Sequence, residues 1–186
     1  MSIVSKKPVE KRVPEQELQG VTFRRLKPNI DPRGCFTEIF QEAWDLGIAP
    51  VQWSLVRTDV NVFRGMHLHW RHDEYYALVS GRCVVGLYDV RRDSPSRGNY
   101  ALYELNEDDP HCICFPPGML HGLYYFEPTI HLQAVSESYD TYQHDDNLGC
   151  RWDDPDLAIP WPFDNPLSSP EQDSYPPLKT ILDDVD

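Results

Sequence analysis

Between residues 51 and 135 the chain breaks into runs of four to eight residues rich in β-branched and aromatic side chains, a rhythm that suits short strands. The runs are 51–58, 75–79, 83–89, 100–105, 112–115, 122–126 and 131–135, punctuated by Gly81, Pro95, Gly98, Pro110, Pro116, Gly118 and Pro128. Within 51–58 the side chains alternate, with Val51, Trp53 and Leu55 on one face and Gln52, Ser54 and Val56 on the other. Strands this short and evenly spaced indicate an all-β antiparallel sandwich or barrel. In the first half only Gln41 to Leu46 reads as a helical turn or two. Seven prolines between Trp152 and Asp186 argue for an arm wrapping over the body, with a short helix near its end.

A chain of 186 residues suffices for one domain with a proper core and is short for two. One domain over 1–186 is therefore expected, with the principal barrel in 20–135 and a proline-rich arm over 152–186. The formal charge of -13, from 30 acidic and 17 basic residues, argues against a nucleic-acid partner, because neutralising phosphates takes a basic surface. A small diphosphate is still admissible, since a few well-placed arginines hold one through local geometry. Cys35, Cys83, Cys112, Cys114 and Cys150 form an odd set without a CxxC, and the N-terminus carries no secretion signal. Cys112 and Cys114 share one strand face, so buried thiols and a reducing cytoplasm are expected. No run approaches the roughly 18 apolar residues of a membrane span.

The chemistry concentrates in two segments, 64–69 (RGMHLH) and 116–121 (PPGMLH), with Glu74 and Gly81 between them. His67 and His69 lie two apart, so on a strand both imidazoles point to one side. This composite resembles the two-part signature of the metal-binding cupins. That resemblance implies a cupin, or double-stranded β-helix (jelly-roll), barrel with short peripheral helices. It also implies that His67, His69, Glu74 and His121 hold Fe, Mn, Ni or Zn with positions left for a substrate. The plain alternative is a polar pocket whose strand histidines hold no metal.

Over nearly its whole length the chain also resembles the dTDP-4-dehydrorhamnose 3,5-epimerase family, whose members are metal-free cupins. The matching stretches are 31–38 (DPRGCFTE), Val51 and Gln52, 62–67 (VFRGMH), 89–98 (DVRRDSPSRG), 115–122 (FPPGMLHG), 152–155 (WDDP) and 159–162 (IPWP). The resemblance implies that His67 is the general base and Asp173 its dyad partner. A carboxylate on one imidazole nitrogen fixes the tautomer and raises the basicity of the other. Arg33 and Arg64 match residues that grip a nucleotide diphosphate, and Glu38, Gln52, His121 and Tyr142 match further substrate contacts. The implied reaction removes the proton alpha to the ketone of a nucleotide-linked 4-keto-6-deoxy sugar and reprotonates at C3, C5 or both, without a cofactor. Relatives pair as homodimers, and Glu38 lies in a segment that in them reaches toward the partner subunit.

Three chemical positions depart from that family's pattern. Its tyrosine acid falls at Ser136, its enolate-stabilising lysine at Glu74 and an aspartate at Val85. A carboxylate in place of a cation opposes enolate formation unless a positive charge stands between them, as a metal would. Tyr75, Tyr76, Tyr124 or a water are the substitute donors to consider, while Tyr139, at odd separation from 136 on a continuous strand, would face away. Trp53 and Trp152 suit either the cover of a base or sugar, or the core. Three readings follow: an epimerase inverting one carbon, a metal-dependent isomerase or oxygenase, and a nucleotide-sugar-binding protein without catalysis.

Overall fold

The computed structural model describes residues 17–142 and 146–185. The first sixteen residues of the expected domain and Asp186 at the end of the expected arm lie outside the described residues. Each of the seven runs is a strand or most of one: β4 is Gln52–Thr58, β6 Glu74–Ser80, β7 Arg82–Asp89, β8 Tyr100–Asn106, β9 His111–Phe115, β10 Met119–Tyr125 and β11 Thr129–Val135. Five further strands are β1 (Thr22–Arg25), β2 (Pro28–Asp31), β3 (Gly34–Thr37), β5 (Val62–Leu68) and β12 (Leu148–Gly149). The stretch 41–46 contributes a single 3₁₀ turn, Glu42–Trp44. Short helices are α1 (Tyr139–Tyr142), α2 (Pro170–Asp173) and α3 (Leu178–Val185).

Two five-stranded sheets face each other, in the orders β1-β9-β6-β11-β4 and β12-β5-β10-β7-β8, and β2 pairs with β3 as a separate ribbon. From β4 to β7 and again from β8 to β11 the chain crosses between sheets at every connection, and all pairs run antiparallel. This is a jelly roll, the barrel that the pattern of short strands implied.

Leu87, Leu105, Ile113, Phe115, Met119 and Leu123 fill the space between the sheets. Val85 is buried among them and is part of this core. The outer face of the second sheet presents Phe63, Met66, Leu120 and Tyr124, and the tail lays Leu157, Trp161, Phe163, Leu178 and Ile181 over it. Leu178, Ile181 and Leu182 recur at helical spacing along α3, which gives that helix one apolar stripe to bury. Gly86 makes the seat for Trp161: a Cβ there would come within 2.3 Å of the indole Cη2. Trp152 packs against Phe63 and Phe163 in the same layer.

On the outer face of the first sheet, Tyr75, Ala77, Cys112, Cys114 and Ala134 are covered by Ile39, Phe40, Trp44 and Ile48. All five cysteines are free, and Cys112 and Cys114 are both buried in this layer. The cover stops short of Trp53, Leu55 and Val79, which remain 43%, 50% and 52% exposed. Trp53 leans edge-on against Tyr75 and Phe40, outside the barrel and away from its interior.

Candidate active site

A bulge in β5 sets the site. His67 pairs with His121 across β5 and β10, but the next pair is Arg64 with Leu123, so β5 carries an extra residue between them. Gly65 makes this possible, because a Cβ there would lie 2.5 Å from the Cα of Gly122 and 2.6 Å from the carbonyl oxygen of His121. The extra residue brings Arg64 and His67, three apart, to one cavity. The Arg64 charge acts on His67 and, across the barrel, on His131 and Tyr125. Arg64 Nε also donates to Thr58 Oγ1 at 3.3 Å.

His67, His69 and His121 cluster with ring centroids 5.3 to 6.5 Å apart. Facing them from β6 is Glu74, 2% exposed, whose Oε2 accepts from Gln133 Nε2 at 2.9 Å. Burial, then the charge of His69, lowers the His67 imidazole to about 4. Burial likewise lowers His121 to about 3 and His131 to about 4. Burial alone would raise Glu74, but the surrounding imidazoles of His72, His121 and His69 outweigh it and hold the carboxyl at about 2. At neutral pH His67, His69, His121 and His131 are therefore neutral and Glu74 is ionised.

Asp146 and Ser136 pin the loop that follows β5. The Asp146 carboxylate accepts from the backbone N–H groups of Trp70 at 2.7 Å and Arg71 at 3.0 Å, and its carbonyl meets His69 Nδ1 at 2.5 Å. Ser136 Oγ accepts from Asp73 N at 2.8 Å and donates to the Asp73 carboxylate at 2.9 Å. So held, the loop delivers His72 into the interior, where it stacks on Tyr142 with centroids 4.4 Å apart. Sequence reasoning missed His72, Asp146 and His131. A histidine five residues past the base matched no spacing rule, although Asp146 is a short acidic side chain of the type that closes turns.

The structure brings His67, Arg64, His121, His69, Glu74 and Tyr142 together, while Gln52 stands at the edge with its Oε1 accepting from Tyr139 N at 2.9 Å. It does not bring Asp173 to His67. The group touching His67 Nε2 is Gln172 Nε2, at 3.1 Å, whereas the Asp173 carboxylate accepts from Ser168 Oγ. The reason is local. Ser169 caps α2 in a capping box with Gln172, which turns Gln172 toward the barrel and its neighbour outward. Nor does His67 belong to either of the groups of possible metal donors among the described residues, which are His69, Glu74 and His121, and His69, His72 and Asp146.

Arg33 and Glu38 also stand away from the cavity within this chain. Arg33 sits at the exposed tip of the β2–β3 ribbon, its guanidinium on Asp31. Glu38 borders a hollow with Arg24, Lys27 and Trp44 on the outside of the first sheet. The substitute acids narrow as well. Tyr75 donates outward to the Ile39 carbonyl, Tyr124 donates to Asn61 Oδ1 under the tail, and Ser136 is tied to Asp73. Tyr76 is inside, but burial and then Glu74 push its hydroxyl well above the usual range. Tyr139 starts α1 rather than extending β11, so alternation along a strand does not govern where it points.

A jelly-roll barrel with a buried imidazole, an arginine and a second histidine at one polar end defines a cupin built for proton transfer. The profile described as dTDP-4-dehydrorhamnose 3,5-epimerase matches residues 15–180. An enzyme of that description from Sinorhizobium fredii is 31% identical over 176 residues, covering 87% of each chain. The spore coat polysaccharide biosynthesis protein SpsL of Bacillus subtilis is 28% identical over 148 residues, covering 77% of this chain and 96% of its own. Among solved structures, the dTDP-4-dehydrorhamnose 3,5-epimerase of Bacillus anthracis, with TDP and PPi bound, superposes with a TM-score of 0.79 at 26% identity, covering 87% of this chain and 97% of that one. The chain belongs to the dTDP-4-dehydrorhamnose 3,5-epimerase family.

Proposed function

We propose that the protein is an epimerase of a nucleotide-linked 4-keto-6-deoxy sugar, serving deoxysugar or polysaccharide biosynthesis, with His67 as its general base. The observation that carries this reading is the neutral His67 imidazole held beside Arg64 and His121 in the family's own base motif. A ketone makes its alpha protons acidic, and a positioned neutral imidazole is suited to removing one. Gln172 Nε2 can donate to His67 Nε2, which sets the resting tautomer with the proton on Nδ1, and when the base acts this donor gives up the Nε2 lone pair to the substrate's alpha proton. His121 Nδ1 lies 3.2 Å from the Met119 carbonyl, which orients that ring as a donor along the backbone and leaves Nε2 on the cavity side. Of the substitute donors, Tyr75, Tyr124 and Ser136 are tied elsewhere and Tyr76 is pushed well above the usual range, so we assign reprotonation to water and inversion to a single carbon. In heavy water, candidate 4-keto sugar nucleotides should exchange one carbon-bound proton. Absence of exchange at both C3 and C5 for every candidate would overturn the reading.

We further propose a cytoplasmic homodimer. The apolar strip of Trp53, Leu55 and Val79 on the first sheet is larger than scattered surface residues need be, and a second copy would cover it. The β2–β3 ribbon, with Ile30 and Phe36 exposed and Arg33 at its tip, has the reach to serve a neighbouring cavity. This gives Arg33 and Glu38 their role as diphosphate and polar contacts of the partner's substrate. A monomer in sedimentation at micromolar concentration would defeat the proposal. No helix among the described residues is long and apolar enough to cross a membrane.

A further inference from the structure

Glu74 is a buried anion whose two oxygens are treated differently. Oε2 accepts a hydrogen bond from Gln133 at 2.9 Å. Oε1 instead has three imidazole nitrogens around it at longer range: His72 Nε2 at 3.4 Å, His69 Nε2 at 3.5 Å and His121 Nε2 at 4.0 Å. Donors that share a metal at about 2.1 Å stand about 3 to 3.5 Å apart, a range that His69 Nε2 meets and His121 Nε2 comes near. No arginine or lysine is paired with Glu74 among the described residues. A buried carboxylate carries a desolvation cost that a cation offsets.

A second observation points the same way. His72 has a fully buried side chain, and neither of its ring nitrogens has a hydrogen-bond partner. Its Nδ1 lies 3.3 Å from Asp146 Oδ2 and its Nε2 faces Glu74. Buried polar atoms in native proteins are almost always satisfied, so an unpartnered imidazole facing a buried carboxylate marks a place where something binds.

We propose that His69, Glu74 and His121 form a three-donor face for one divalent first-row transition-metal ion, with His67 outside the ligand set. Two imidazoles and a carboxylate on one face are the donor set of catalytic zinc and non-haem iron sites, which keep positions open for a further ligand. The alternative group of His69, His72 and Asp146 is weaker, because the Asp146 carboxylate already accepts two backbone N–H groups. Second-sphere support exists for the chosen face: His69 Nδ1 meets the Asp146 carbonyl and His121 Nδ1 the Met119 carbonyl, leaving both Nε2 atoms for the ion. Such an ion would restore positive charge where the family's lysine is replaced by Glu74, and would polarise a ketone oxygen. That consequence rests on the epimerase reading; the site itself does not.

The test uses the full chain, stripped with a chelator and shown to be folded by circular dichroism, and then titrated with Co(II). Wild type should take up one equivalent, with visible ligand-field bands of a low-coordinate centre and a rise in Tm. Affinity should fall at least tenfold in Glu74→Gln and in His121→Ala, and stay within about threefold in His67→Ala. Absence of bands and of any Tm rise with Co(II), Mn(II), Ni(II) or Zn(II) in folded wild type would overturn the site, whatever the variants do. Loss of binding in folded His67→Ala, or full binding in folded Glu74→Gln, would overturn the ligand assignment. Deuterium exchange measured on the same samples keeps the two ideas apart, since its failure with metal bound rejects the epimerase reading and leaves the site standing.

Discussion

The two ends of the barrel interior are built from the same strands and differ in nearly everything else. On β10, His121 lies between Met119 and Leu123, which are core, and on β6, Glu74 precedes Tyr76 and Leu78, which are core as well. One end is closed by apolar packing that the alternation of short strands provides. The other gathers His67, His69, His72 and His121 around the Glu74 carboxylate, with His131 packed on Tyr76 beside them. The apolar end supplies stability, and the polar end gives some of it up in return for reactive groups at fixed positions.

If that division is right, variants at the two ends should fail in different ways. The largest effect is expected from His67→Ala, which should lower solvent exchange of the sugar about 10³- to 10⁴-fold, or about 4 to 5.5 kcal/mol in barrier, while the urea midpoint stays close to wild type. Ile113→Ala, at the apolar end, should do the reverse. Its side chain is fully buried between the sheets, so about 4 kcal/mol of stability should be lost in urea unfolding, with kcat nearly unchanged in the protein that remains folded. An Ile113 variant that loses activity without losing stability would erase the distinction.

The pH dependence of stability belongs to the polar end. His131 is lowered to about 4, first by burial and then by the Arg64 charge, against about 6.5 in an unfolded chain. Below pH 6.5 the unfolded chain takes up a proton that the native state refuses, so stability is complete above about 6.5 and is lost as pH falls toward 4. For this one group the loss approaches about 3 kcal/mol. His131→Phe should therefore flatten the fall in unfolding free energy between pH 7 and pH 4.5 by most of that amount. An unchanged slope would mean that His131 titrates normally.

How much of this was legible beforehand also divides along the two ends. The apolar end follows from local rules, since period-two alternation and Gly or Pro punctuation are properties of neighbouring residues, and they located β4 and β6 to β11. The strand β5 was harder to place, because Gly65 and the bulge interrupt the alternation and let Arg64 and His67 share a cavity at odd spacing. Family motifs supplied His67, Arg64 and His121, and the cupin spacing supplied His69 and Glu74. His72 and His131 carried no local signal, since their positions depend on loop pinning by Asp146 and on pairing across the sheet. The tail shows the limit of alignment by motif: one residue separates Asp173 from Gln172, and only the capping geometry of α2 decides which of them reaches His67.

That one-residue difference yields the smallest expected effect and the finest test of the polar end. In Gln172→Ala the amide no longer donates to His67 Nε2, a bond of 3.1 Å that favours the neutral ring. Protonation of His67 should then become easier, moving its titration upward from about 4 and carrying the acid limb of kcat/KM to higher pH. Loss of the capping box should cost about 1 kcal/mol in urea unfolding, and activity at neutral pH should fall about threefold to tenfold as the ring loses its fixed tautomer. Asp173→Asn provides the contrast. Its carboxylate is occupied with Ser168, so the acid limb should stay where wild type has it. A shift of the limb in Asp173→Asn with none in Gln172→Ala would return the dyad role to the aspartate and show that the tail rearranges when substrate is bound.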